Sequence, residues 1–201
     1  MANNRLYPFW GSLTEALPSG LPQNEAKQGG NLFDAIYQDE RALRAFLKSM
    51  TGLSLAAAKA FAQKFPWQDY SSVIDIGVAQ GAVVVEVASA HPHLTGGGFD
   101  LPPVGPVFNE YVAEHGLQER IRFHPGDFFK DPCPSADVLV MGDILHDWDL
   151  EQKRELLAKC YEALPPGGWD ARSWLQGDSG RTTARAGFDG HRDSIVGPQA
   201  R

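Results

Sequence analysis

Residues 73–100 read VIDIGVAQGAVVVEVASAHPHLTGGGFD, and the order of signals within them decides the fold. Val73 to Ile76 is a short β-branched run with serines before it and Gly77 after it, the pattern of a buried strand. A turn bracketed by Gly77 and Gly81 comes next, then an apolar stretch from Ala82 to Ala90, then a glycine-rich strand, Leu94 to Phe99, that ends at Asp100. Val83, Val84, Val85 and Val87 lower helix propensity in the middle stretch, which is nevertheless read as helix. Strand, glycine turn, helix and strand form the unit from which α/β proteins build a nucleotide-type pocket. The turn lets a ligand approach the backbone, and an acid at the end of the second strand can accept a pair of ribose hydroxyls.

Working outward, Tyr7 to Leu17 reads as a short helix followed by a loop rich in proline and glycine. Leu43, Phe46, Leu47 and Met50 recur at helical spacing behind the capping residue Asp39, and Gly52 is expected to break that helix. Ser54 then caps a second helix through Phe65. Downstream, the pattern predicts a helix over Val104 to His115 closed by Gly116, strands at Ile121 to Phe123 and Ala136 to Met141, and a helix over Leu150 to Leu164. Leu156, Leu157, Cys160, Tyr161 and Leu164 make the apolar stripe of that last helix, Asp149 with Gln152 forms a capping box, and Pro165 to Gly168 stops it. Strands alternating with helices imply a doubly wound, mostly parallel sheet of the Rossmann-like α/β class. From Trp169 to Arg201 no period persists, and the segment reads as a polar tail without regular structure. The expected organisation is thus a helical region over 1–70, an α/β core over 71–168 and the tail over 169–201.

Composition narrows the function. A chain of 201 residues suits about one domain. A formal net charge of -7 disfavours a surface built for nucleic acid or anionic membrane. The two cysteines, Cys133 and Cys160, make no disulfide framework, no run reaches the ~18 apolar residues of a membrane span, and no signal-peptide stretch follows Met1. A cytoplasmic protein acting on a small molecule is the expectation, with neither nucleic acid nor membrane as partner.

Several residues carry possible chemistry. Gly77 and Gly81 bracket the first turn, and Asp100 stands where a ribose diol would lie, although position 79 is alanine and the G-x-G-x-x-G pattern of dinucleotide sites is absent. An adenosyl ligand remains open on that pattern. Asp127 and Phe128 follow the third strand, where one could accept from an adenine amine and the other form an apolar wall; the bland reading of Asp127 is a turn acid. His146 follows the fourth strand at the edge where ligands bind in such sheets, and an imidazole there can take a proton from a substrate hydroxyl. Asp147, its neighbour, is read as a helix-start acid rather than as the partner that orients His146.

Taken together, DIGVAQG, GFDLPPV, PGDFF and LHDWDLEQ resemble, in order, the D-x-G-G-G-x-G, F-D-L-P, G-D-F/M-F and L/C-H-D-W-x-D/E elements of the S-adenosylmethionine-dependent small-molecule O-methyltransferases. This family includes plant caffeate, flavonoid and hydroxyindole enzymes and bacterial antibiotic-tailoring enzymes. The resemblance runs from about Trp10 to Gly168. It implies a class I methyltransferase fold, S-adenosylmethionine as cofactor with no metal, and a small phenolic or polyketide-like hydroxyl as acceptor. His146 would be the general base. Gly77 and the turn to Gly81 would approach the methionine part, Asp100 beside Leu101 would hold the ribose, and Asp127 with Phe128 would flank the adenine. An F-x-x-x-M match implies that Phe46, Met50 and Ser54 line the cavity, with core packing the other reading of Phe46.

The sequence departs from the family in three places. The helical winged-helix segment that makes the family's homodimer is not matched, so the expectation of a dimer is weak. Val78, Ala79 and Gln80 put side chains into the glycine turn, where lower cofactor affinity is expected. The residues from Trp169 match neither the family's fifth strand nor its final antiparallel pair, so the expected sheet is incomplete, ending at its fourth strand with an open edge. A catalytically inactive cofactor-binding or interaction module stands as the alternative reading. A nicotinamide-dependent oxidoreductase is disfavoured by the missing glycine fingerprint.

Overall fold

The computed structural model describes residues 7–21, 23, 24, 27, 36–166 and 168–171, and helical segments precede its first strand. Helix α1 (Leu13–Ser19) ends on Gly20. Helix α2 (Glu40–Lys64) is capped by Asp39 as expected, the carboxylate Oδ1 accepting the Ala42 amide at 2.8 Å. Gly52 does not break α2, which corrects the expectation of two separate helices. A glycine inside a helix costs about 1 kcal/mol relative to alanine. Here Leu43, Leu47, Ala58, Phe61 and Ala62 keep one helical register across Gly52, and all five are buried. Burial of that stripe outweighs the local penalty.

The chain divides into two compact units, Met1–Leu53 and Ser54–Arg201, and α2 spans the division. The second unit holds β1 (Ser72–Ile76), α3 (Ala82–Ala90), β2 (Thr95–Asp100), α4 (Gly105–Glu114), β3 (Ile121–Pro125), β4 (Val138–Val140), α5 (Leu150–Ala163) and β5 (Trp169–Ala171). They form a five-stranded sheet in the order β3-β2-β1-β4-β5, with every pairing parallel. The fold class is the one expected, with one correction. Trp169, Asp170 and Ala171 pair with Val138, Leu139 and Val140, so the sheet does not end at its fourth strand. The expected tail beyond these residues, 172–201, lies outside the described residues.

The strands alternate between two cores, as a period of two requires. Val73, Val138 and Val140 join a cluster with Phe61, Trp67, Phe108 and the valines of α3, while Ile74, Ile76, Leu139 and Met141 pack with Leu156 and Cys160 of α5. Val83, Val84, Val85 and Val87 are each no more than 4% exposed, so tertiary burial holds α3 helical against its weak propensity. The N-terminal ends of β1 and β4 are joined by Asp137, whose Oδ2 accepts the Ser71 and Ser72 amides at 2.8 and 3.0 Å. The predicted capping box of α5 is formed: Gln152 N donates to Asp149 Oδ1 at 2.9 Å, and Asp149 N to Gln152 Oε1 at 3.4 Å.

Candidate functional site

At the C-terminal edge of the sheet the turn after β1 hangs on the end of β2. Gly77 N donates to Phe99 O at 2.8 Å, and Gly77 adopts φ 70°, where L side chains are strained. A Cβ at Gly77 would lie 2.2 Å from Ile144 Cδ1, so this glycine lets the segment after β4 pack directly on the turn. Gly81 starts α3 at φ 102°. Val78 is 4% exposed and belongs to the first core, which corrects the expectation that its side chain stands in the turn. Ala79 sits at φ 51°, and its amide donates to Asp100 Oδ2 at 2.9 Å.

Asp100 joins the parts of this edge. Its second oxygen, Oδ1, accepts the Leu101 amide at 2.7 Å, and its main-chain oxygen accepts the Gly126 amide at 2.9 Å. The side chain thus ties the β1 turn to the β2 end, and the backbone ties the β2 end to the loop after β3. Burial pushes the Asp100 carboxyl up to about 6, against the hydrogen bonds from Ala79 and Leu101 that lower it.

That loop carries Asp127 and Phe128, both half-buried. Asp127 Oδ1 accepts the Phe129 amide at 3.0 Å, and Oδ2 pairs with Lys130 Nζ at 2.8 Å. Burial alone would raise its carboxyl; hydrogen bonds from Lys130 and Phe129 and the charges of Lys130 and Lys159 bring it below the ordinary carboxylate value. Because Lys130 is 81% exposed, its ion pair contributes little and can exchange for a ligand's donor. Phe128 and Phe129 meet the edge of Trp148 at 5.8 and 4.8 Å between ring centres, which ties this loop to the segment after β4.

His146 stands in that segment, within a single 3-10 turn, Leu145–Asp147, and its side chain is 54% exposed. Its Nε2 lies 3.2 Å from Asp147 Oδ1. The expected exclusion of Asp147 as its partner is corrected: neighbours diverge on an α-helix, but here the two side chains meet. The helix-capping role falls to Asp149 instead. Burial raises the Asp147 carboxyl, with His146 opposing and Asp143 adding to the rise.

Two further acids at this edge, assigned no role from the sequence, are Asp75, the first residue of DIGVAQG, and Asp143. Asp75, on β1, is 4% exposed, and no hydrogen bond to its carboxyl is seen among the described residues. Burial, then Asp100, then Asp143 hold that carboxyl well above its ordinary value. Asp143 adopts φ 54°, a conformation that brings a sharp turn just past β4. The sequence signals for Asp75 are its place at the head of DIGVAQG and a charge interrupting a buried β-branched run. Asp75, Asp100 and Asp143 crowd three acids at this edge, which disfavours ionisation of Asp75 and would favour a cationic ligand over an anionic one.

Of the residues singled out, Gly77, Gly81, Asp100, Leu101, Asp127, Phe128 and His146 thus lie on the segments that follow β1, β2, β3 and β4, at one edge of the sheet. Met50 lies half-buried on α2 within the first unit.

Known proteins resemble this chain in sequence and in fold. The chain is 43% identical over 163 residues to the N,N-dimethyltransferase OxyT of Streptomyces rimosus, covering 81% of this chain and 47% of that protein. It is 40% identical over 168 residues to the tetracenomycin polyketide synthesis 8-O-methyl transferase TcmO of Streptomyces glaucescens, covering 84% and 49%. Human N-acetylserotonin methyltransferase, solved in complex with S-adenosylmethionine, matches with a TM-score of 0.70 and 31% identity over 81% of this chain and 47% of that one. The chain therefore spans about half the length of the relatives it matches. Because the family model of the O-methyltransferase domain matches residues 10–169, which take in the whole of this strand edge and most of the sequence, the chain belongs to that family.

Proposed function

We propose that the chain binds S-adenosylmethionine across the C-terminal edge of the sheet and transfers its methyl group to a hydroxyl of a small phenolic or polyketide-like molecule. The observation that carries this reading is the convergence of the glycine turn, the buried Asp100, the Asp127–Phe128 loop and His146 on one strand edge. The donors there fit the cofactor. Asp100 offers acceptors to a ribose diol while backbone amides hold it in place, and the crowded acids Asp75 and Asp143 would be relieved by a positively charged ligand. Asp127 would accept from the adenine and Phe128 would form its apolar wall.

S-adenosylmethionine supplies an electrophilic methyl on a sulfonium, which needs no activation by the protein. The chain's part is to hold the acceptor oxygen in line and to take its proton. His146 Nε2 faces Asp147, which leaves Nδ1 as the nitrogen that accepts the hydroxyl proton. A phenol, with an ordinary pKa near ~10, gives up that proton more readily than an aliphatic alcohol. The same reading takes the setting to be cytoplasmic, without nucleic-acid or membrane partners, in keeping with the net charge of -7. An amine acceptor stands as a second reading, because OxyT is named an N,N-dimethyltransferase.

The test is methyl transfer from labelled cofactor to a panel of phenols, naphthols and aromatic amines. His146→Ala should lower turnover by roughly 10²-fold or more while leaving cofactor affinity within about twofold. Equal losses in turnover and affinity would make His146 a structural residue, and transfer to amines alone would favour the second reading.

A further inference from the structure

Helix α5 reaches the loop that presents Asp127 and Phe128. The ammonium of Lys159 donates to the main-chain carbonyl of Phe128 at 2.8 Å, and the contact is part-buried. Within the loop, the Lys130 and Asp131 amides both donate to Asp127 O, at 2.8 and 2.7 Å, and Asp127 N donates to Asp131 Oδ2 at 2.8 Å. These bonds fix the shape of the turn, but none of them fixes where it sits relative to the sheet. That placement comes from outside: Gly126 N on Asp100 O, the packing of Phe128 and Phe129 against Trp148, and Lys159.

The two lysines near this loop do different things. Lys130 is exposed and occupies the Asp127 carboxylate, which a ligand can take over. Lys159 bonds a backbone oxygen and acts on that carboxylate only through its charge. A hydrogen bond from a charged donor to a partly buried carbonyl is stronger than a neutral one and fixes backbone position. Phe128, whose carbonyl it grips, is the residue read as the adenine wall.

We propose that Lys159 is a positioning residue for the adenine end of the cofactor site, holding the Asp127–Phe128 turn against α5 so that the wall and the acceptor are in place before the ligand arrives. The proposal rests on the cofactor reading above. Lys159→Met keeps the aliphatic stem and removes the donor, whereas Lys159→Arg restores a donor. Two quantities decide: hydrogen exchange at the Phe129, Lys130 and Asp131 amides in the ligand-free chain, and the calorimetric Kd for S-adenosylhomocysteine.

Lys159→Met should speed exchange at those amides about tenfold while leaving β1 and β2 unchanged, and should weaken S-adenosylhomocysteine binding about fivefold to tenfold. Lys159→Arg should recover most of both. Unchanged exchange in the methionine variant overturns the proposal, as does faster exchange spread over the whole sheet, which marks a general structural role. If the wild-type chain binds and Lys159→Met binds equally well, the proposal about the lysine alone fails. If the wild-type chain binds no S-adenosylhomocysteine, the cofactor reading fails first, and exchange still shows whether Lys159 holds the loop.

Discussion

Ala79 occupies a backbone conformation that a β-carbon makes costly. At φ 51° an alanine pays about 1 kcal/mol that a glycine would not, and the family pattern carries glycine there. Ala79→Gly should therefore stabilise the chain by about 1 kcal/mol in denaturant unfolding, with the amide still bonded to Asp100; a loss of stability would mean that the alanine methyl packs against something that outweighs the strain. Asp100 gives a pH signature. Its carboxyl is raised from 3.8 to about 6, chiefly by burial, so the folded state binds its proton more tightly than the unfolded chain does. The resulting stabilisation is present at low pH and is lost as pH rises through about 6. Ribose hydroxyls favour the ionised form, so cofactor binding should change in the opposite direction and weaken about tenfold from pH 7 to pH 5. Asp100→Asn should bind weakly and flatten that dependence, and any slope that survives belongs to the other raised acids of this edge, Asp75 and Asp147. Asp100 is legible in the sequence because its place at a strand end is a matter of residue order. Asp143, the burial of Asp75 near Asp100, and the contact between His146 and Asp147 are not, since each depends on a local backbone turn or on the packing of strands distant in sequence.

At the scale of elements, Gly52 and the valines of α3 mark the limits of local signals. Propensity counts against helix at both, yet in each case burial of a continuous stripe decides the outcome. Because a Cβ at Gly52 would meet nothing within 4 Å, Gly52→Ala should add about 1 kcal/mol to stability and raise helix content by circular dichroism; no change would mean that the helix is interrupted there in solution. The longer strands and α5 are legible because period and capping agree in them, down to the Asp149 and Gln152 box. β5 is not, because the three residues Trp169 to Ala171 are too few to show a period, and they become a strand only by pairing with β4.

For the whole molecule, the central claim is that one edge of a parallel sheet, fed by the segments after β1, β2, β3 and β4, is a cofactor site in its own right. The relatives matched in sequence are about twice as long as the stretch they match, so binding by this stretch is open to direct test. Ligand bound only by the folded state also adds stability, which gives the same question a second readout as a rise in Tm. The most direct test is a calorimetric titration of the folded chain with S-adenosylmethionine and S-adenosylhomocysteine at neutral pH. Saturable binding at one site per chain with Kd in the micromolar range is the expected result. A chain that is folded by circular dichroism yet shows no saturable binding to either compound would contradict it.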